Sequence, residues 1–451
     1  DIMLTGKNIY PRQAKKIGLV DLVTSRPSLL DSAISFALEL AAGKFSRKIR
    51  KTFLERTLEG NFLTRRIIFY KAREMVMKRT YGNYPAPLKI IECVESGIEK
   101  GIAAGFEAEE KKFGELVAGA QSRQLINLFF NMNASGKNPL KSEARKIRKI
   151  AILGAGFMGA GIAQVTAARG IDVALKEISE DALAAGMKGI WDDLSKRVRK
   201  GALLPQARDA TMSRVRGALD YGSLRNSDIV VEAVFEDIEL KKKVLEETEE
   251  EIKGEFVFAS NTSALPISLI ADASRQPANV IGMHYFSPVP KMPLLEIIVT
   301  EKTAKWVEAT AIELGVIQGK NVIVVRDGPG FYTTRILAPF LEEALALLLE
   351  GACVELIDQA MMKAGFPVGP LKLLDEVGID VGAHVSRGVI PQLFAARGLQ
   401  PTGALVRLFE AGYRGRKNSR GFYRYGKGAK KKREVNREIY KFFGGCDRKR
   451  F

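Results

Sequence analysis

The segment Gly154-Ala-Gly156-Phe-Met-Gly159 constrains this chain more than any other. It follows an apolar run, Ile150-Ala-Ile-Leu153, and opens a helix-forming run, Met158-Gly-Ala-Gly-Ile-Ala-Gln-Val165, that ends near Gly170. Three spaced glycines alone are weak, but strand, glycine turn and helix in this order are what a βαβ dinucleotide site requires. Gly154 permits the tight turn, Gly156 lets the backbone approach a pyrophosphate, and Gly159 lets the helix pack closely on the strand. Met158 lies within the same loop and joins these glycines as a cofactor contact. The helix N-terminus then offers unpaired N–H groups and a positive dipole end to the phosphates. An acidic residue about 20 positions on should bind the ribose hydroxyls, and Glu177 stands there. Its carboxylate repels a 2′-phosphate, which favours NAD over NADP, although Lys176 beside it is a cation. The plain alternative is a glycine-rich turn with no ligand.

The rhythm around that loop divides the chain. From Lys149 onward, apolar runs alternate with helical periodicity, the mark of a parallel α/β sheet. The strand candidates are Lys149–Leu153 and the runs 172–177, 228–235, 256–260, 280–284 and 322–326. After Asp327-Gly-Pro-Gly330 the strand pattern nearly vanishes, and residues 331–411 read as long helices. A helical domain therefore follows, with the Gly-Pro-Gly turn as its hinge. Upstream, residues 30–135 carry mostly helical periodicity, broken by turn chemistry at Gly82-Asn-Tyr-Pro-Ala-Pro87. The polar stretch from Asn133 through Arg148 reads as a linker. Near the start, Pro11-Arg-Gln-Ala-Lys-Lys-Ile-Gly-Leu-Val20 reads as a helix stopped at Gly18. The expected fold is α/β: a Rossmann-type dinucleotide-binding domain over 148–326, then an all-helical domain over 327–426. A short segment, 1–30, and a mostly helical linker region, 31–147, precede them, and a basic tail, 427–451, follows.

Composition limits the function classes. A chain of 451 residues is too long for one ordinary core, so two or three domains are expected. No apolar run reaches the roughly 18 residues that a membrane helix needs. The opening Asp1-Ile-Met-Leu-Thr-Gly6 lacks the basic and apolar regions of a signal peptide, and the missing initial Met points to a processed protein or a fragment. The formal charge of +18 suits nucleic acid, an acidic membrane surface, an acidic partner or a polyanionic ligand, and charge alone does not choose among them. Nucleic-acid binding lacks any aromatic or fold signature, and Lys430-Lys-Lys-Arg433 reads as a solvated face. Cys93, Cys353 and Cys446 match no metal or redox spacing and read as reduced, structural thiols.

If the dinucleotide takes hydride from an alcohol, the hydroxyl proton needs a base, and histidine is the usual choice. The chain has two. His384 lies in the helical segment Val381-Gly-Ala-His384-Val-Ser386 and reads as structural. His284 ends the apolar strand Val280-Ile-Gly-Met-His284, and strand C-termini are where open α/β sheets place their ligands. Its other ring nitrogen needs an orienting acceptor. Glu296, in Met292-Pro-Leu-Leu-Glu296-Ile-Ile298, is a lone carboxylate in an apolar stretch, a costly place for an unpaired charge. A buried structural pair would look the same.

Three further segments carry a resemblance: Phe258-Ala-Ser-Asn-Thr-Ser-Ala-Leu-Pro-Ile267, Gly282-Met-His-Tyr-Phe-Ser-Pro288 and Asp327-Gly-Pro-Gly-Phe331. Together they resemble the 3-hydroxyacyl-CoA dehydrogenase family, and within it the α-subunits of multifunctional fatty-acid β-oxidation complexes. The likeness runs over essentially the whole chain. It implies that His284 is the general base and Glu296 its partner, and that Ser263 contacts the substrate oxygen near the nicotinamide. It places Glu236 and Lys241 at cofactor-contacting positions, where composition alone would give a solvated helix start. Thr334 and Ser287 stand where many, respectively some, members carry asparagine, the first facing substrate and the second the cofactor. A threonine hydroxyl can still donate, with shorter reach.

The resemblance also sets expectations for the chain as a whole. The opening Leu4 to Asp21 is similar to the end of an enoyl-CoA hydratase domain whose catalytic part is not present, so hydratase activity is not expected of this polypeptide. A second helical repeat found in multifunctional relatives is also not present, which predicts an exposed apolar face and self-association or marginal stability. The activity implied is oxidation of L-3-hydroxyacyl-CoA to 3-ketoacyl-CoA with NAD, in the bacterial cytoplasm or the mitochondrial matrix. The helical domain is expected to close over the cleft. Lys196-Arg-Val-Arg-Lys200 would meet the coenzyme A phosphates or form a plain solvated face, the simpler reading. The rivals are a dehydrogenase of free β-hydroxyacids and a truncated subunit kept as a docking scaffold for a thiolase.

Overall fold

The structure, a computed structural model, describes residues 2–45, 60–388, 390–426 and 434–447; the basic run 430–433 lies outside them. The chain divides into two units, residues 1–126 with 199–202, and residues 127–198 with 203–451.

The second unit holds the sheet. Among the described residues its strands are β1 Lys149–Leu153, β2 Asp172–Lys176, β3 Val215–Ala218, β4 Ile229–Glu232, β5 Val257–Ser260, β6 Val280–Tyr285, β7 Leu294–Val299 and β8 Asn321–Arg326. Their order across the sheet is β3-β2-β1-β4-β5-β6-β7-β8. Side chains two residues apart share a face, so Ile150 and Ile152 enter one core while Ala151 and Leu153 enter the other. Burial on both faces is why β1, β4 and β5 read as unbroken apolar runs rather than alternating ones. From β1 the chain builds outward to β2 and β3, then returns to place β4 on the other side of β1. The crevice beyond the strand ends at that reversal is where open α/β sheets bind ligands.

Two strands escaped the sequence pattern. β3 is four residues long and buries only Val215 fully. β7 lies in the apolar stretch around Glu296, and it pairs antiparallel to β6 and parallel to β8, so the sheet is not uniformly parallel. The reversal sets His284 directly opposite Glu296.

After β8 the turn 327–330 carries Gly328 at φ 151° and Gly330 at φ 72°, conformations that disfavour a side chain. Asp327 pins this turn by accepting from the Ile267 and Ser268 N–H groups at 2.7 and 2.9 Å. Helices Thr333–Leu349, Val354–Lys363, Pro370–Val377, Ile379–Gly388, Ile390–Ala395 and Ala404–Glu410 follow, as the helical period predicted. Their core includes Leu345, Leu348, Leu371, Leu374, Leu405 and Leu408.

One expectation fails in this part. Within the basic tail, residues 434–447 contribute Val435, Ile439 and Phe443 to that core. The cysteines were read as reduced, yet Cys353 and Cys446 form a disulfide with Cα atoms 4.9 Å apart; Cys93 is free. A separation of 93 residues hides the pairing. The segment brings its end back to the start of helix Val354–Lys363, where Asp447 N–H donates to Gly351 O and Val354 N–H to the Tyr440 hydroxyl.

The described residues of the first unit are mostly helical, as the periodicity of 30–135 indicated. Helix Phe62–Thr80 stops at Tyr81, which takes a left-handed conformation, and Ala86–Lys100 begins after Pro85, with Pro87 in its first turn. A small core joins Phe69, Val76 and Ile91. Helices Ala86–Lys100 and Ile102–Val117 pack so closely that a Cβ on Gly105 would lie 2.8 Å from Gly97 Cα.

The stretch read as a linker before β1 is strapped down within the second unit. Asn138 donates to Ala309 O and to Glu313 of helix Lys305–Ile317, and the Arg145 guanidinium lies 3.5 Å from the Trp306 ring centroid. No helix among the described residues is long and apolar enough to cross a membrane.

Candidate active site

The glycine loop lies at the reversal point. Gly154 takes φ 99°, and a Cβ there would sit 2.7 Å from Ala233 O. At Gly159 a Cβ would run into the Gly154 carbonyl oxygen, so helix Phe157–Ala167 owes its close approach to β1 to that glycine. Gly156 differs: a Cβ there meets nothing within 4 Å. Packing leaves that position open, the condition for a pyrophosphate to approach the backbone. Gly156 also precedes the helix in an extended conformation without a side-chain cap, so the first N–H groups remain available to an anion.

Glu177 follows β2 and accepts from the Ala155 N–H at 2.7 Å and the Ile178 N–H at 2.8 Å, which sets its carboxylate against the loop. Lys176 does not compete for that space: its Nζ lies 4.1 Å from the Tyr221 ring centroid. Met158 is half-buried in the loop and Ser287 is exposed beyond β6. The open Gly156, the uncapped helix and the carboxylate fit a dinucleotide whose ribose carries no 2′-phosphate.

The cross-strand pair is the centre of the site. His284 Nδ1 lies 2.6 Å from Glu296 Oε2, with the histidine 5% and the glutamate 0% exposed. His284 Nε2 has no protein partner among the described residues, and the ring is flanked by Phe286 and Phe331. Glu296 accepts three more hydrogen bonds: Thr333 Oγ1 on Oε2 at 2.6 Å, and the N–H groups of Thr333 and Tyr332 on Oε1 at 2.9 and 3.2 Å. Burial pushes the Glu296 carboxyl up, but the bonds from His284 and from the Thr333 hydroxyl and N–H outweigh it. They hold the group below the usual carboxylate range.

Ser263 sits in the loop after β5, half-buried, its hydroxyl unbonded to protein among the described residues. Its N–H donates to Glu236 Oε1 at 3.0 Å, and its carbonyl accepts from Thr334 Oγ1 at 3.2 Å. Thr334 therefore holds the Ser263 backbone in this state. The Thr262 hydroxyl also donates to Glu236, at 2.6 Å. The solvated-helix reading fails for Lys241, which is 1% exposed. Its Nζ lies 2.8 Å from Glu232 Oε1 and 3.3 Å from Glu236 Oε2. Glu232, which ends β4 with 0% exposure, also accepts from the Ser260 hydroxyl and the Val234 N–H. His384 is exposed, and its Nε2 lies 3.1 Å from Glu236 O.

Three residues here were not anticipated from sequence. Glu232 looked like the end of an apolar strand, though a carboxylate closing such a run nine positions before a lysine is a detectable signal. Thr333 was overshadowed by Thr334. Lys320 is buried and donates from Nζ to Val289 O and Met292 O, fixing the loop that follows Ser287. Burial pushes its amine down to about 8. Lys196, Arg197, Arg199 and Lys200 are exposed at the end of helix Glu180–Arg199 and just beyond. Among the described residues no group of three or more His, Cys, Asp or Glu is arranged to hold a metal ion.

Comparison with known proteins bears on this geometry. Residues 149–328 match the model of the 3-hydroxyacyl-CoA dehydrogenase NAD binding domain, and residues 330–425 match that of the 3-hydroxyacyl-CoA dehydrogenase C-terminal domain. A fatty acid oxidation complex subunit alpha from Shewanella baltica is 46% identical over 98% of this chain, which spans 63% of that relative's length. The crystal structure of an (S)-3-hydroxybutyryl-CoA dehydrogenase from Ralstonia eutropha is 36% identical with a TM-score of 0.59, covering 62% of this chain and 100% of its own. A 3-hydroxybutyryl-CoA dehydrogenase from Escherichia coli is 34% identical with a TM-score of 0.59, covering 63% of this chain and 61% of its own.

Proposed function

This chain belongs to the 3-hydroxyacyl-CoA dehydrogenase family, and from that premise we propose that it oxidises L-3-hydroxyacyl-CoA thioesters to 3-ketoacyl-CoA with NAD. The observation that carries the reading is His284, buried at a strand end with Nδ1 on Glu296 and Nε2 unclaimed among the described residues. NAD, when bound, supplies the hydride acceptor for C3. His284 Nε2 removes the C3 hydroxyl proton, so the C–O bond becomes the ketone as the C3–H bond breaks. Glu296 fixes the tautomer that leaves Nε2 free to accept, and its charge favours the imidazolium that forms. The Ser263 hydroxyl, unbonded to protein among the described residues, positions the substrate oxygen, with Thr334 holding its backbone. Glu236 and Lys241 shape the cofactor side of the same loop.

The Shewanella relative is named as one subunit of a complex. We extend to this chain the proposal of a partner subunit, with a β-oxidation thiolase as the candidate.

NADH consumption with acetoacetyl-CoA and longer 3-ketoacyl-CoAs tests the activity. His284→Ala should lose about 10²- to 10⁴-fold in kcat, the usual contribution of a positioned base. Equal rates for the two proteins would overturn the role of His284, and turnover of free acids but not thioesters would overturn the substrate class.

A further inference from the structure

We propose that Thr333 is a positioning residue that sets how strongly Glu296 pulls on the His284 imidazole, and so the pH range in which the base works. The proposal rests on the reading of His284 as the proton acceptor. Glu296 Oε2 is shared: His284 Nδ1 and Thr333 Oγ1 each lie 2.6 Å from it. A second donor on one carboxylate oxygen draws charge from that oxygen and weakens its hold on the first. The hydroxyl is therefore a counterweight to the imidazole.

The surroundings leave Thr333 and the ring as the two adjustable influences. From β6 the titratable group facing Glu296 is His284, and on β8 the register neighbour is Ile323. The ring itself faces Phe286 and Phe331. Neither His284 nor Glu296 forms an ion pair with any other described residue. The remaining bonds to Glu296 come from the Tyr332 and Thr333 N–H groups, which a side-chain substitution leaves in place. Helix Thr333–Leu349 has no side-chain cap from Tyr332, so the β7 carboxylate takes the place of one.

The sign follows. Removing the hydroxyl concentrates charge on Oε2, stabilises the imidazolium, and raises the pH at which His284 loses its proton. Thr333→Val keeps the shape and removes the donor; Thr333→Ser keeps the donor. In the ligand-free protein, NMR titration reads the imidazoles directly, and with two histidines in the chain His284→Asn assigns the signal. The His284 midpoint should rise by roughly 0.5 to 1 unit in Thr333→Val, the effect of losing one ordinary hydrogen bond felt mainly by one protonation state. It should return in Thr333→Ser. The acid limb of kcat/KM for hydroxyacyl-CoA oxidation should move up by the same amount. An unmoved midpoint in Thr333→Val, or a loss of activity uniform with pH, would overturn the inference and leave Thr333 as packing alone. If His284→Asn retained activity with its acid limb intact, the assignment of the base would fall instead.

Discussion

Lys241 illustrates how a single residue changes meaning once its surroundings are known. On a helix rich in lysine and glutamate it reads as surface charge, yet its ammonium is enclosed with the carboxylates of Glu232 and Glu236. Through Glu236 it reaches the Thr262 hydroxyl and the Ser263 N–H, and so the loop that carries Ser263. Lys241→Met should destabilise the protein by about 3–5 kcal/mol in chemical denaturation, because Glu232 would be left as an uncompensated buried charge. The double variant Lys241→Met with Glu232→Gln should recover part of that loss. Recovery of stability without recovery of kcat would separate the support given to Ser263 from simple charge balance.

At the scale of elements, the glycine loop divides its work between fold and ligand. A methyl at Gly159 meets the Gly154 carbonyl, whereas a methyl at Gly156 meets no protein atom. Gly159→Ala should lower stability by about 1–3 kcal/mol through overpacking. Gly156→Ala should keep the melting temperature and weaken NAD binding about tenfold, equivalent to about 1.4 kcal/mol, as read by titration calorimetry. Both effects were legible in sequence, since the glycine spacing and the strand before it are local. So was the pairing of His284 with Glu296, as residue types and as family motif. Its geometry was not legible: it depends on β7 running against β6, and an apolar run carries no mark of strand direction. The burial of Val435, Ile439 and Phe443 was not legible because the three lie among polar residues next to a basic run. Glu232 and Lys241 meet only once the strand end and the helix start are folded together.

For the whole molecule, pH dependence is concentrated in the helical part as well as at the dyad. Asp375 is fully buried and accepts from the Phe422 and Tyr423 N–H groups and the Tyr425 hydroxyl, with Asp358 close by. Burial raises its carboxyl to about 6 in spite of those donors, with Asp358 adding to the rise. The folded state therefore holds this proton more tightly than the unfolded chain. The resulting stability is complete below the unfolded value of 3.8 and is lost as pH rises through about 6, a change of about 3 kcal/mol. Melting temperatures of wild type and Asp375→Asn should diverge between pH 4 and 7, the wild type losing ground as pH rises. Parallel curves would show that Asp375 contributes no such linkage.

The four bonds on Glu296 join two jobs in one group. The same carboxylate that steadies the imidazole also receives the first N–H groups of the helix that opens the C-terminal part. Lifting that helix from β7 would strip Glu296 of three of its four donors and leave His284 as the fourth. The set of partners on the carboxylate beside His284 is therefore complete only while that helix is seated.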